Sequence, residues 1–324
     1  MNESSFNIIM YIGGSTVSLW RGSDCVAVRS LHLGDIPASL HEREARLMLR
    51  VREIAHEYFN EMKQAAYISV VLGSPWVTYH TRMIEHTREK PFIFSRDLEE
   101  KFINEDYAVM KKEIERTHGA YNDVVIGLQI QKHILNGHTM ENPFGVKAYR
   151  CTLPTIVALA QRKLAHNVLA VLEMSLQRDD IHIQSHWQLL SSSYIQQERI
   201  VCVIGSVNTD IMWLIGGVVE QVASIPCGYE KFVHYQMYNA TEPSFHEQIQ
   251  YTDQWSRECS QVLHQWAIHK VLPQTLEIIT DSIDALDYSN LIIDEVRTLP
   301  FFTTTPHIIP PHLGRVFSDA VIIC

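Results

Sequence analysis

The chain has 324 residues, 46% hydrophobic and 20% charged, which is enough to bury a core in two domains, or in one with a sizeable insertion, and excludes disorder as the main state. Its 27 Lys and Arg stand against 37 Asp and Glu, a formal charge of -10, so no overall positive field draws nucleic acid or anionic lipid. No apolar run approaches the roughly 18 residues of a membrane span, and the opening Met1-Asn2-Glu3-Ser4-Ser5 lacks the basic start of a secretion signal. The expectation is a cytoplasmic protein with no nucleic-acid partner and no direct membrane insertion. Its six cysteines (Cys25, Cys151, Cys202, Cys227, Cys259, Cys324) show no CxxC spacing, as free thiols in a reducing compartment would, which speaks against a zinc site.

From residue 7 short apolar runs alternate with turn residues: residues 7–12, Gly13-Gly14, residues 16–20, residues 21–24 and residues 25–28 read as strand, turn, strand, turn, strand. Ser39-Leu40-His41-Glu42 has the form of a capping box, and Leu47, Val51, Ile54 and Tyr58 carry a helix through Met62. Residues 66–73 are almost continuously apolar and residues 76–86 alternate, which predicts two strands about Ser74-Pro75. Ser95 caps a charged helix bearing Leu98, Phe102 and Ile103. A strand over 123–130, a turn-rich loop over 137–145 and a strand over 146–153 follow, and Pro154 opens a helix with Ile156, Leu159, Leu164, Val168 and Val171. The stretch 66–176 thus reads as a small α+β module.

Residues 200–204, Gly205-Ser206, residues 210–215, Gly216-Gly217 and residues 218–225 repeat the opening rhythm, an internal pseudo-repeat. Ser244-Phe245-His246-Glu247 opens a long helix towards Lys270, whose Trp255, Cys259, Val262 and Trp266 form a stripe suited to a core or, if uncovered, to an interface. The aromatic run over 232–238 poses the same choice. A strand over 276–280, a Thr/Pro-rich loop over 303–311 and an apolar end over 316–324 complete the chain.

Two meanders with Gly-containing turns and a module between them resemble the actin-like ATPase superfamily, in particular the branch of FtsA and PilM. There the first phosphate loop follows Asp-Ile-Gly-Ser and the second Asp-Ile-Gly-Gly-Gly-Thr-x-Asp. The aligned stretches here are Tyr11-Ile12-Gly13-Gly14-Ser15 and Val203-Ile204-Gly205-Ser206-Val207-Asn208-Thr209-Asp210. Glu141-Asn142-Pro143-Phe144-Gly145-Val146 is similar to the Asn-Pro-x-Gly loop of the family's SHS2-type subdomain, and Ser224-Ile225-Pro226-Cys227-Gly228-Tyr229 to its Ile-Pro-x-Gly-Gly segment. The resemblance implies an α/β, ribonuclease H-like fold of two lobes. Residues 1–65 would be the first lobe, 66–176 the inserted SHS2-like subdomain with its return helix, and 177–324 the second lobe with a reduced helical insertion at 240–272. It also implies cofactor-binding positions at Gly13, Gly14, Ser15, Gly205, Ser206, Asn208 and Asp210.

The departures bear on activity. Tyr11 and Val203 stand where the family has the aspartates that support Mg²⁺, and Thr280-Asp281-Ser282-Ile283 lacks the glycines of its adenosine-lining turn. Carboxylate-held Mg²⁺ neutralises charge in phosphoryl transfer, so ATP hydrolysis is not expected and ATP with Mg²⁺ is not an expected cofactor. In plainer terms Gly13-Gly14 suits any hairpin, Asn208 tolerates a turn, and Asp210 reads as an exposed carboxylate at a strand start or as one that orients a water or ion. His182 and His186, beside Asp179 and Asp180, make the nearest approach to a metal site, but scattered surface histidines suit the pattern better and no metal is expected. No G-x-S-x-G elbow, P-loop or G-x-G-x-x-G occurs, and Cys151 and Cys202 lie in strand runs.

The resemblance implies a scaffold peripheral to the bacterial inner membrane. In the PilM-like version it serves type IV pilus or type II secretion assembly by binding the cytoplasmic tail of an inner-membrane protein, with the edge strand over 76–86 as one contact. The chain ends at Val321-Ile322-Ile323-Cys324 without the basic amphipathic helix by which FtsA attaches to lipid, which favours that version over an FtsA-like role in division. The alternative from the enzyme class is a nucleotide-binding ATPase, with Asp210 as its sole metal-side carboxylate, that forms homo-oligomers or filaments.

Overall fold

A computed structural model describes residues 6–22, 24–31, 40–118, 123–195, 197–230, 245–268, 270–280 and 307–309. The chain forms two compact units, one of Met1–Val77 with His166–Cys324 and one of Thr78–Ala165. The insert is therefore narrower than the 66–176 that the sequence suggests.

The first unit opens with β1 (Asn7–Ile12), β2 (Thr16–Arg21) and β3 (Asp24–Ser30), an antiparallel meander. Helix α1 (Leu40–Glu57) buries Leu47, Val51 and Ile54 on one face. It stops at Tyr58, whose phenol donates to the Val26 carbonyl at 2.8 Å, and Met62 is buried on a separate helix, α2 (Phe59–Gln64). Strand β4 (Tyr67–Leu72) pairs with β1 in parallel. That pairing explains its unbroken apolar run, since a parallel strand inside a sheet buries both faces, and it takes β4 out of the insert.

The second unit comprises β5 (Val77–Ile93), α3 (Arg96–His118), β6 (Asp123–Ile130), β7 (His133–Leu135), β8 (His138–Met140) and β9 (Lys147–Gln161). Its sheet runs β5-β9-β7-β8, with β6 also on β9. Phe94, Phe102, Leu135, Cys151 and Leu153 form its core. Two local readings are overturned here. The loop expected over 137–145 contains β8, because Asn136 and Gly137 both take positive φ, +52° and +86°, the geometry of a two-residue hairpin. Pro154 opens no helix: β9 runs through it. Its Cys151 and Thr152 pair with β7 and its Thr155 to Gln161 with β6, so the proline falls where the partner strand changes and its missing N–H costs no ladder bond. Its carbonyl still accepts from the Gln131 amide at 2.9 Å.

Helix α4 (Arg162–Leu176) leads back to the first unit, where β10 (Ile181–Ser185) joins the first sheet beside β4 to give the order β10-β4-β1-β2-β3. Ser185 then caps the short helix α5 (His186–Ser193) in a capping box with Gln188. The second sheet holds β11 (Glu198–Ile204), β12 (Thr209–Ile215) and β13 (Val218–Ile225) as its meander. After α6 (Phe245–Ala267), β14 (Thr275–Thr280) pairs with β11 in parallel, and β15 (His307–Ile309), inside the expected Thr/Pro-rich loop, pairs with β14. On α6, Trp255 and Cys259 are buried with Trp213, Cys202, Cys227 and Ile278, while Val262 and Trp266 pack at the margin, so the tryptophan stripe is core. The caps expected at Ser39 and Ser244, the run over 232–238, positions 281–283 and the end over 316–324 lie outside the described residues.

Candidate functional site

Each meander turns through a tight hairpin. In the first, the Gly13 amide donates to the Thr16 carbonyl at 2.9 Å, and the Gly13 carbonyl accepts from Trp76 Nε1 at 2.7 Å. Tyr11 is buried on β1, with its phenol so close over Gly73 that a Cβ there would lie 2.5 Å from the oxygen. In the second, the Gly205 amide donates to the Asn208 carbonyl at 2.9 Å, and the Tyr229 and Glu230 amides donate to the Gly205 and Ser206 carbonyls at 3.0 Å each. Gly228 passes so near this turn that a side chain would overlap the Ser206 carbonyl, which is why the segment after β13 carries glycine at that point.

The two hairpins touch. A methyl group added at Gly14 would overlap Ser206 Oγ and stand 2.8 Å from Pro75 Cδ. Arg43, reaching in from α1, seals the contact: its Nη1 donates to the Gly14 carbonyl (3.3 Å), to Ser206 Oγ (3.2 Å) and to Glu230 Oε1 (2.7 Å), and its Nη2 bonds the other carboxylate oxygen. The Arg43 and Glu230 side chains are only 6% and 11% exposed. Arg43 lies four residues before Leu47 on the apolar stripe of α1, and a cation on a buried stripe is the one sequence signal that points to it. Glu230 has no comparable signal, standing 187 residues away.

Asp210 corrects an expectation. It is fully buried on β12 rather than exposed at a strand start. Ser224 Oγ donates to its Oδ1, and His186 Nε2 stands 3.5 Å from its Oδ2. The His186 ring is also hydrogen-bonded to the Leu72 backbone. Burial holds His186 down at about 4 and pushes Asp210 up to about 7, because neither charge has water to stabilise it. Between about pH 4 and pH 7 the proton of the pair therefore sits on Asp210, facing an unprotonated imidazole nitrogen.

Of the seven positions the resemblance singles out, Gly14 and Ser206 meet directly, and Gly13, Gly205 and Asn208 shape the two turns. Ser15 is buried, its hydroxyl without a hydrogen-bond partner among the described residues. Asp210 lies further along β12, in the His186 pair. His182 stacks on Tyr67 at 4.9 Å, whereas His186 turns to Asp210, so the sequence pair divides. Among the described residues no group of three or more His, Cys, Asp or Glu is placed to hold a metal ion. The buried cysteines are poor nucleophiles: burial pushes Cys151 up to about 12, and Cys202, in hydrogen-bond contact with Cys259, is also raised.

A nucleotide held between such hairpins needs room for its phosphates and carboxylates for its metal. Around these hairpins Gly14 lies on Ser206, Arg43 is engaged by the Glu230 carboxylate, and Tyr11 and Val203 supply no anionic oxygen.

No protein-family model and no curated protein matches the chain. Among solved structures, it superposes on one titled PilM–PilN type IV pilus biogenesis complex with a TM-score of 0.58 at 13% identity, covering 99% of each chain. A Bacteroides thetaiotaomicron protein with the actin-like ATPase fold and unknown function gives 0.46 at 11% identity, over 97% of this chain and 95% of that one. The cytoplasmic domain of EpsL, an inner-membrane component of the Vibrio cholerae type II secretion system, gives 0.43 at 10% identity, over 98% and 94%. The chain has the actin-like ATPase fold, a mixed α/β architecture. Among the described residues no helix is long and apolar enough to cross a membrane.

Proposed function

We propose that this chain is a non-catalytic actin-like scaffold at the cytoplasmic face of the bacterial inner membrane. Its task is to bind the cytoplasmic tail of an inner-membrane protein in a type IV pilus or type II secretion assembly. The observation that carries the non-catalytic part is the contact of Gly14 with Ser206 under Arg43, which uses the space and the hydrogen bonds that phosphates need. The partner part draws on the likeness to the PilM structure, which spans both chains from end to end, and on the second unit. There β5 lies at the edge of its sheet for 17 residues, with Met83 and Ile93 exposed, and such an edge offers backbone groups to an extended peptide.

The test is binding of synthetic peptides that copy the cytoplasmic tails of inner-membrane proteins encoded beside this one, followed by fluorescence anisotropy. One tail is expected to bind saturably and to weaken when Met83 is changed to Glu. If every tail fails to bind, the scaffold reading is wrong.

A further inference from the structure

We infer that the Arg43–Glu230 pair has taken the seat of a bound anion, so that the protein's own ion pair, and no ligand, ties the two hairpins together. The pair sits where the hairpins meet. Arg43 holds the Gly14 carbonyl on one side and Ser206 Oγ on the other, and a carboxylate fills its planar fork through both oxygens. A phosphate offers a guanidinium the same two-oxygen contact. Glu230 is delivered by the backbone: its amide bonds the Ser206 carbonyl, and Gly228 lets that segment lie against the turn. Both side chains are nearly enclosed. A buried pair of this kind adds little over an apolar replacement, yet losing one partner strands the other charge. Its value therefore lies in specifying closure, and the lobes stay shut without a nucleotide. The inference does not depend on tail binding, and its failure would leave that test untouched.

Thermal unfolding of the full chain tests it. Glu230→Ala is expected to melt several degrees below the parent and to regain about half of that loss in about 20 mM inorganic phosphate, measured against chloride of equal ionic strength, as a millimolar ligand of the vacated fork would provide. The parent and the double variant Arg43→Met/Glu230→Ala should not respond. Should Glu230→Ala fail to fold, Glu230→Ser, which also empties the Arg43 fork, is read the same way. Two results overturn the inference: a phosphate response in the parent equal to that of the Glu230 variant, or no response in the variant.

Discussion

Replacing Asp210 with Asn keeps the shape of a fully buried side chain while removing its proton equilibrium, and so it reads the electrostatics of the His186 pair directly. The amide can still accept from Ser224 and donate towards the unprotonated His186 nitrogen. Folding raises Asp210 from its ordinary 3.8 to about 7, so between those values the native chain holds a proton that the unfolded chain has lost. The stability that Asp210 contributes is fully present below pH 3.8 and is lost as the pH rises to 7. Roughly three pH units at 1.36 kcal/mol each make a loss of about 4 kcal/mol, which the Asn variant does not suffer. In urea unfolding at matched pH, Asp210→Asn should therefore gain on the parent by about 4 kcal/mol between pH 4 and pH 7 and stay level above that. A variant that instead loses ground as the pH rises would mean that Asp210 serves as the anion of an ion pair with charged His186, and the reasoning would fail.

His186→Gln should show the opposite trend. The native histidine is lowered from 6.5 to about 4, its contribution is lost as the pH falls through that window, and the variant gains on the parent by about 3 kcal/mol between pH 6.5 and pH 4 in the same assay. Gly14→Ala forces a methyl group into Ser206 Oγ and should cost about 1–3 kcal/mol in chemical denaturation; adding Ser206→Gly should return part of that loss, whereas strictly additive costs would show that the hairpins are apart in solution. Trp76→Phe removes the donor to the Gly13 carbonyl and should cost about 1 kcal/mol, visible as a lower urea midpoint with an unchanged slope.

Much of the fold is written in local pattern. Alternating apolar runs about Gly13-Gly14 and Gly205-Ser206 foretell both meanders, and the Leu47, Val51, Ile54 stripe foretells α1, because side-chain period and turn chemistry act within a few residues. What escaped depends on pairing at a distance. Pro154 reads as a helix opener until β7 and β6 are known to share β9 on either side of it. The run at 66–73 declares a buried strand but not which sheet takes it, and β4 goes to β1. In the candidate site, the hairpin glycines and serines were legible from resemblance. The burial of Asp210 has no local signal because the groups around it, Ser224 and His186, come from separate elements. The role of Arg43 is hidden in the sequence because its fork is filled by a residue far along the chain.

In the proposed scaffold the clamp is shut by its own side chains, and calorimetric titration of the intact protein with ATP and Mg²⁺ tests that most directly. With Gly14 seated on Ser206 and Arg43 engaged by Glu230, no saturable heat should appear up to millimolar nucleotide. Saturable binding at micromolar ATP, abolished by Gly14→Ala, would contradict it and return the chain to the nucleotide-dependent ATPases.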